Sequence, residues 1–442
     1  MPAAVRLPWR PLDVLDAEQV EQIHAASLTI LERTGIEFQD EETLSLWRAA
    51  GADVDVATQR VRLAPELVLR LVGLAPGAFT WQARNPAHNV DFGPGLAAFG
   101  PCGGMAYVLD ARRGRRSGTL ADYADLVRVA QASPVLHFAA WEQVAALDVP
   151  ASVRHLQRLR TAIQLSDKPL MESAHGRVIT ADCLAMCRLV FGPLEDQPPV
   201  IGDVINVSSP LRFDARMLGG LLTYARAGQV TYITPFILAG AMSPISMAAA
   251  LAQQNAEALA GVATTQLARP GAPVMMGGFT SNLDLRSGTP ALGTPEGAWA
   301  VLAGAQLARR YGLPFRGNGG LTSSKSLDAQ AALETHWSLW PSLLGQAALT
   351  MHAAGWVDGG LTVSLEKYAF DLAQLEDLCA ELAGTPSDPA ASVSRSADWA
   401  LRDWDKRLAA YEPPPLDPAI SAALDDYVAR RSIELADANL YA

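Results

Sequence analysis

QLARPGAPVMMGGFTSNLDLRSGTPALGTPEGAWAVLAGAQLARRYGLPFRGNGGLTSSKSLD, residues 266–328, sets the architecture of this 442-residue chain. Two short apolar runs, Ala272–Gly277 and Leu313–Asn318, have the length and bounding turns of buried strands. Between them, an Ala- and Leu-rich run from Pro295 to Tyr311 has those of a helix. Strand, loop, helix, strand is the repeating unit of a parallel α/β fold. Polar residues gather just after each strand: Ser281, Asn282, Asp284 and Arg286 after the first, Asn318, Thr322, Ser323 and Lys325 after the second. In parallel α/β folds ligands bind at that end.

The same period extends outward. Eight strand candidates begin near Ala97, Leu136, Pro169, Pro199, Val230, Pro273, Pro314 and Trp356. Helices follow from near Leu120, Ala151, Val178, Phe213, Ser246, Pro295, Asp328 and Asp371. This arithmetic predicts a (β/α)8 TIM-like barrel over residues 96–384, with a doubly wound sheet as its rival. Residues 1–95 read as an N-terminal α+β cap: an extended arm, a helix opened by Asp16, a second from Asp40 to Ala50, and short strands at Arg60–Leu63, Phe79–Ala83 and Asn89–Phe92. Residues 385–442 read as a linker and a C-terminal helical tail, with helices from Ala397 and Pro418. Tyr107–Ser117 reads as a hairpin whose arginines form a solvated face or, alternatively, meet an acidic partner. Pro341 is expected to split or kink the seventh helix.

Composition narrows the function. Half the residues are hydrophobic (50%), enough for a large core, and the net charge of −11 with no basic stripe excludes a nucleic-acid binder. Four cysteines in a chain this long make no disulfide framework and point to a reducing cytoplasm. There is no apolar run of about 20 residues to span a membrane. The histidines and cysteines show no metal-ligand spacing, so no protein-held metal is expected. Neither a GxGxxG opening a helix, a Walker-type loop, nor a G-x-S-x-G elbow is present.

Four runs carry a family resemblance: AMSPISMAAALAQQNAEALAG, PGAPVMMGGFTSNLDLRSGTPALGTPE, LPFRGNGGLTSSKSLDAQAALE and HAAGWVDGGLTVSLEK. Together they resemble the trimethylamine methyltransferase superfamily, and the likeness extends from about Leu28 to near the C-terminus. It implies a barrel that transfers a methyl group from an amine to the Co(I) centre of a corrinoid carried by a separate partner protein. The archaeal trimethylamine enzymes carry pyrrolysine, whereas this chain holds only standard residues. It is therefore similar to the non-pyrrolysine branch, which includes glycine betaine methyltransferase. A quaternary ammonium substrate fits that departure, because its leaving group is already a neutral amine and needs no acid.

Projected past the strand ends, the candidate substrate-binding residues are Trp141, Glu172, Asn206, Phe236, Phe279, Asn282, Arg286, Asn318, Lys325, His352, Trp356 and Glu366. Gly103, Gly104, Glu142 and His175 lie in the same projected zone. Trp141, Phe236, Phe279, Trp337, Trp340 and Trp356 offer faces for a cation–π cage, or else fill the core. Glu142, Glu172 and Glu366 would add charge attraction or serve structural ion pairs. Arg286 and Arg316 would hold a substrate carboxylate or pair with a neighbour such as Asp284. Lys325 would contact a phosphate or carboxylate. His352 falls at the bottom face by strict barrel register, which favours a structural role over the pocket. A betaine-binding barrel without catalysis remains the alternative to the methyltransferase, and a homo-oligomer is compatible with either.

Overall fold

The computed structural model describes residues 4–195, 197–286, 288–384 and 395–440. The linker expected after Gly384 lies largely outside the described residues. At the centre is a parallel sheet of β1 (Leu96–Phe99), β2 (Leu170–Met171), β3 (Ile201–Val207), β4 (Val230–Ala239), β5 (Val274–Gly277), β6 (Phe315–Asn318) and β7 (Leu349–Met351). Neighbours run β2-β3-β4-β5-β6-β7-β1, so the last strand returns to the first. A doubly wound sheet reverses direction from its middle; this order does not. The strands are almost wholly buried and correspondingly rich in Val, Ile and Met.

The hydrogen-bonded ladder is open at one place, between β1 and β2. The strand expected near Leu136 belongs there, but side chains replace its ladder. The His137 backbone N–H donates to Phe99 O at 2.9 Å, while the Phe99 N–H is taken by the His137 ring at Nδ1, 3.1 Å away. On the other edge the Lys168 ammonium donates to the carbonyls of Ala130, Ser133 and Leu136 at 2.7, 2.9 and 2.7 Å.

The last strand is also displaced from expectation. β7 is Leu349–Met351, whereas Trp356–Val357 pairs antiparallel with Thr362–Ser364 in a separate sheet that includes the Tyr107–Asp110 hairpin strand. The helix Ala329–Leu344 contains Pro341 and is a single element rather than two, and the apolar run after it is strand. This moves His352 from the bottom face to the C-terminal end of β7.

The 22-residue helix Met247–Ala268 is buried nearly all round. The sheet covers one side and the N-terminal helices Ala17–Thr29 and Pro65–Val72 cover others. Its Asn255 donates to Ser27 Oγ and Tyr311 OH, both at 2.9 Å. The tail helices Ala397–Ala409 and Pro418–Glu434 pack on helices flanking the sheet. The hairpin arginines are not merely solvated. Arg112 pairs with Asp405, Arg113 with Asp110, Arg115 with Asp358, and Arg116 with both Asp110 and Asp122.

Candidate active site

A cavity of about 410 Å³ opens where β1, β3, β4, β6 and β7 end. Trp141, Asn206, Phe236, Phe279, His352 and Trp356 line it, together with Glu142, His175, Asp203 and Arg316. Gly104, at φ +88°, is exposed at its mouth, and a Cβ there meets nothing within 4 Å.

Aromatic rings form much of the wall. The Phe236 and Phe279 rings lie 5.0 Å apart, on facing positions where β4 continues past Pro235 alongside Phe279–Asp284. Phe279 is 6.2 Å from Trp356, which meets the His352 ring edge-on at 4.6 Å. His352 in turn lies 5.1 Å from Trp141. Trp141 and His352 both leave extended conformation, at φ +119° and +61°, turning their side chains off the chain where the sheet ends.

Two stretches of the lining differ in charge. On one, Asp203 is 2% exposed and accepts from Trp141 Nε1 at 2.8 Å and from the Ala174 N–H at 2.9 Å. Burial pushes its carboxyl up to about 6, against the pull of His175 and of backbone donors. Glu142 beside it is also driven upward by burial, but Arg158 and His175 outweigh that and hold it below its ordinary range. Arg158 bonds Glu142 and Glu172 together.

On the other stretch Arg316 is 2% exposed and bonds Asn318 and, at 2.9 Å, His352 Nε2. Burial lowers it to about 10, still a cation at neutral pH. Burial and Arg316 hold His352 well below the ordinary imidazole range, so it is neutral. Since a guanidinium only donates, His352 accepts at Nε2 and carries its proton on Nδ1. Among the described residues Arg316 has no carboxylate within 4 Å, and Arg316 Nε, His352 Nδ1 and Trp356 Nε1 have no hydrogen-bond partner. The wall is a buried cation with spare donors around it.

The family model for trimethylamine methyltransferase (MTTB) matches residues 2–398 of this chain. The chain belongs to that family. It is 34% identical to a glycine betaine methyltransferase of Desulfitobacterium hafniense, over 96% of this chain and 98% of that protein. It is 26% identical to trimethylamine methyltransferase MttB2 of Methanosarcina mazei, over 86% and 78% of the two chains. The monomethylamine methyltransferase structure from Methanosarcina barkeri shares the fold at 8% identity, with a TM-score of 0.51 over 94% of this chain and 92% of that one.

Of the twelve residues singled out in the sequence of this methyltransferase, six line the cavity: Trp141, Asn206, Phe236, Phe279, His352 and Trp356. Asn318 stands behind Arg316 and bonds it. Glu172 is fully buried under the floor, bound by Arg158 and Ser173. Glu366 is buried elsewhere, accepting from the Ala111 N–H at 2.6 Å and from Ser364. Asn282 lies on the outer hairpin paired with Ala291, and Arg286 and Lys325 are exposed on loops. These last three follow strands in sequence but lie beyond the strand ends, on extensions that lead away from the cavity. Trp337 borders a separate small space and Trp340 packs on Trp9. Asp203 escaped notice because it sits inside a strand. The signal was present as a lone carboxylate in the apolar run Val200–Val207. Among the described residues no group of three His, Cys, Asp or Glu side chains is arranged to hold a metal ion, and no helix is long and apolar enough to cross a membrane.

Proposed function

We propose that this chain moves a methyl group from a carboxylate-bearing quaternary amine, a betaine, to Co(I) of a corrinoid held on a partner protein. One observation carries the substrate class: Arg316, a buried cation with no carboxylate partner among the described residues, stands in the wall of a cavity that four aromatic rings also line. An unpaired buried charge is costly, and a ligand carboxylate relieves that cost. Four rings, Trp141, Phe236, Phe279 and Trp356, suit the ammonium end by cation–π attraction. Glu142 adds negative charge to the same lining.

When docked, the corrinoid supplies the electron pair that takes the methyl group. The residues of this chain bind the zwitterion at both ends, exclude water and point one methyl toward the mouth at Gly104. The C–N pair stays on nitrogen as a neutral tertiary amine, so no side chain has to deliver a proton. The same reading takes residues 134–140 as the irregular second member of a (β/α)8-like barrel spanning 96–384, with 1–95 as cap and 385–442 as tail.

Methyl transfer to reduced cob(I)alamin, followed by its visible spectrum, tests the proposal. Glycine betaine, proline betaine, carnitine and γ-butyrobetaine are screened beside choline and trimethylamine. Enzyme-dependent methylation by one of the carboxylated amines, and by neither choline nor trimethylamine, is expected. Turnover of trimethylamine or choline alone overturns the substrate class. Tight betaine binding with no transfer to any corrinoid protein overturns the activity.

A further inference from the structure

We propose that Asp203 is a positioning residue for cation recognition: by accepting the Trp141 indole N–H it fixes that ring in the cavity wall and raises the electron density of its face, so that Trp141 rather than Trp356 carries the attraction for a quaternary ammonium. The inference rests on the betaine reading above.

Trp141 stands at φ +119°, a backbone conformation that a bulky residue adopts only when its surroundings impose it. Three contacts impose it here. Asp203 Oδ1 takes the indole N–H at 2.8 Å. Gly103 lies against the ring, where a Cβ would fall 2.3 Å from Cε3. The His352 ring stands 5.1 Å away. Asp203 is itself held by the Ala174 N–H at 2.9 Å and the Tyr232 hydroxyl at 3.3 Å, and among the described residues it has no cationic side chain within 4 Å. Its negative charge is therefore shared with neutral donors, of which the indole is the one facing the cavity.

The second cavity tryptophan is a built-in contrast. Trp356 lines the same space, but its Nε1 is buried without a partner. An indole whose N–H donates to a carboxylate has a more negative π-face than one whose N–H donates to nothing. Two identical side chains thus present different faces to one ligand. Burial pushes the Asp203 carboxyl up to about 6, so it is ionised in an assay at pH 8.

The test is titration calorimetry at pH 8 with two probes, glycine betaine and 3,3-dimethylbutanoate. The second has the same shape and carboxylate, with carbon in place of the ammonium nitrogen. Asp203→Asn retains an acceptor for the indole and removes the charge; Trp141→Phe and Trp356→Phe remove one N–H each. The wild type is expected to prefer betaine by about tenfold or more. Asp203→Asn should weaken betaine about tenfold and the carbon analogue by less than about twofold. In a Trp141→Phe background the same Asp203→Asn change should alter betaine affinity by less than about threefold, and Trp356→Phe alone should do no more. Equal weakening of both probes by Asp203→Asn would mean that Asp203 is only scaffolding, and overturns the proposal. So does an Asp203→Asn effect that persists undiminished in the Trp141→Phe background, which would mean direct attraction. If Asp203→Asn does not fold, equal losses in Trp141→Phe and Trp356→Phe overturn it. A wild type that binds both probes alike removes the ammonium reading itself, and this inference with it.

Discussion

Arg158 and Arg316 are each 2% exposed, the first bonded to Glu142 of the cavity lining and the second itself part of that lining, yet they live in different electrostatic worlds. Arg158 binds two carboxylates, Glu142 and Glu172, and these drive its proton affinity well above the ordinary value despite burial. Arg316 bonds only an amide and a neutral imidazole, and burial lowers it to about 10. The first charge is consumed within the chain and holds the floor together. The second is left open at the edge of a cavity. Burial alone therefore says little about what a charged group does; its partners decide whether it serves stability or a ligand.

Removing each arginine breaks the comparison in opposite directions. Arg158→Met strands two carboxylates, one of them fully buried, and breaking such a network costs about 3–5 kcal/mol. Urea unfolding should show a loss of this size; a loss below about 1 kcal/mol would mean the network contributes nothing net. Arg316→Met removes a charge that has no counter-ion among the described residues. Its midpoint of unfolding should stay level or rise, while betaine affinity in calorimetry falls by about 30- to 1,000-fold, the range for losing one partner of a buried charged hydrogen bond. A variant that loses stability but still binds would show that Arg316 belongs with Arg158 after all.

How much of this was legible in the sequence follows the same division. The repeating strand–helix units, the hairpin and the tail helices were readable because they rest on local patterns, such as the Thr294-Pro295 helix start that the structure caps with the Thr294 hydroxyl. Six cavity residues were readable because they fall near the positions where the sequence pattern ends its strands. His352 was placed at the wrong face because the apolar residues before it fit a helix end as well as a short strand. Leu136–Ala140 is apolar enough for a strand, but its own His137 ring accepts the Phe99 N–H and Lys168, distant in sequence, donates to the Leu136 carbonyl. No local pattern encodes such partners.

Lys168, a third buried cation, sharpens the contrast, since it binds neither a carboxylate in the chain nor a ligand but three carbonyls. Lys168→Met keeps the volume and leaves those carbonyls without a donor. Each orphaned group costs about 1–3 kcal/mol, partly recovered by relaxation, so a loss of about 2–4 kcal/mol is expected. Hydrogen exchange should quicken around residues 130–140 first, because that is the segment the ammonium ties to the sheet. Uniform quickening over all strands would mean that the lysine acts globally rather than as a replacement for the absent ladder.

The smallest expected effect concerns the acidic wall alone. Asp203 ionises near 6 in the folded chain and near the ordinary 3.8 when unfolded. Between those values the folded state binds the extra proton, so stability falls as pH rises through the window and is flat at this group above about 6. Two pK units set an upper limit near 3 kcal/mol, and about 1–2 kcal/mol is the expected size once solvent at the cavity mouth is allowed for. Glu142 lines the same cavity and also responds to pH, so the quantity to measure is the difference in unfolding free energy between wild type and Asp203→Asn. That difference should shift against the wild type from pH 4 to pH 6 and hold steady from 6.5 to 8. A difference that is constant from pH 4 to 8 would mean the carboxyl is solvated as an ordinary surface group, and the acidic wall would lose its role as the counterpart of Arg316.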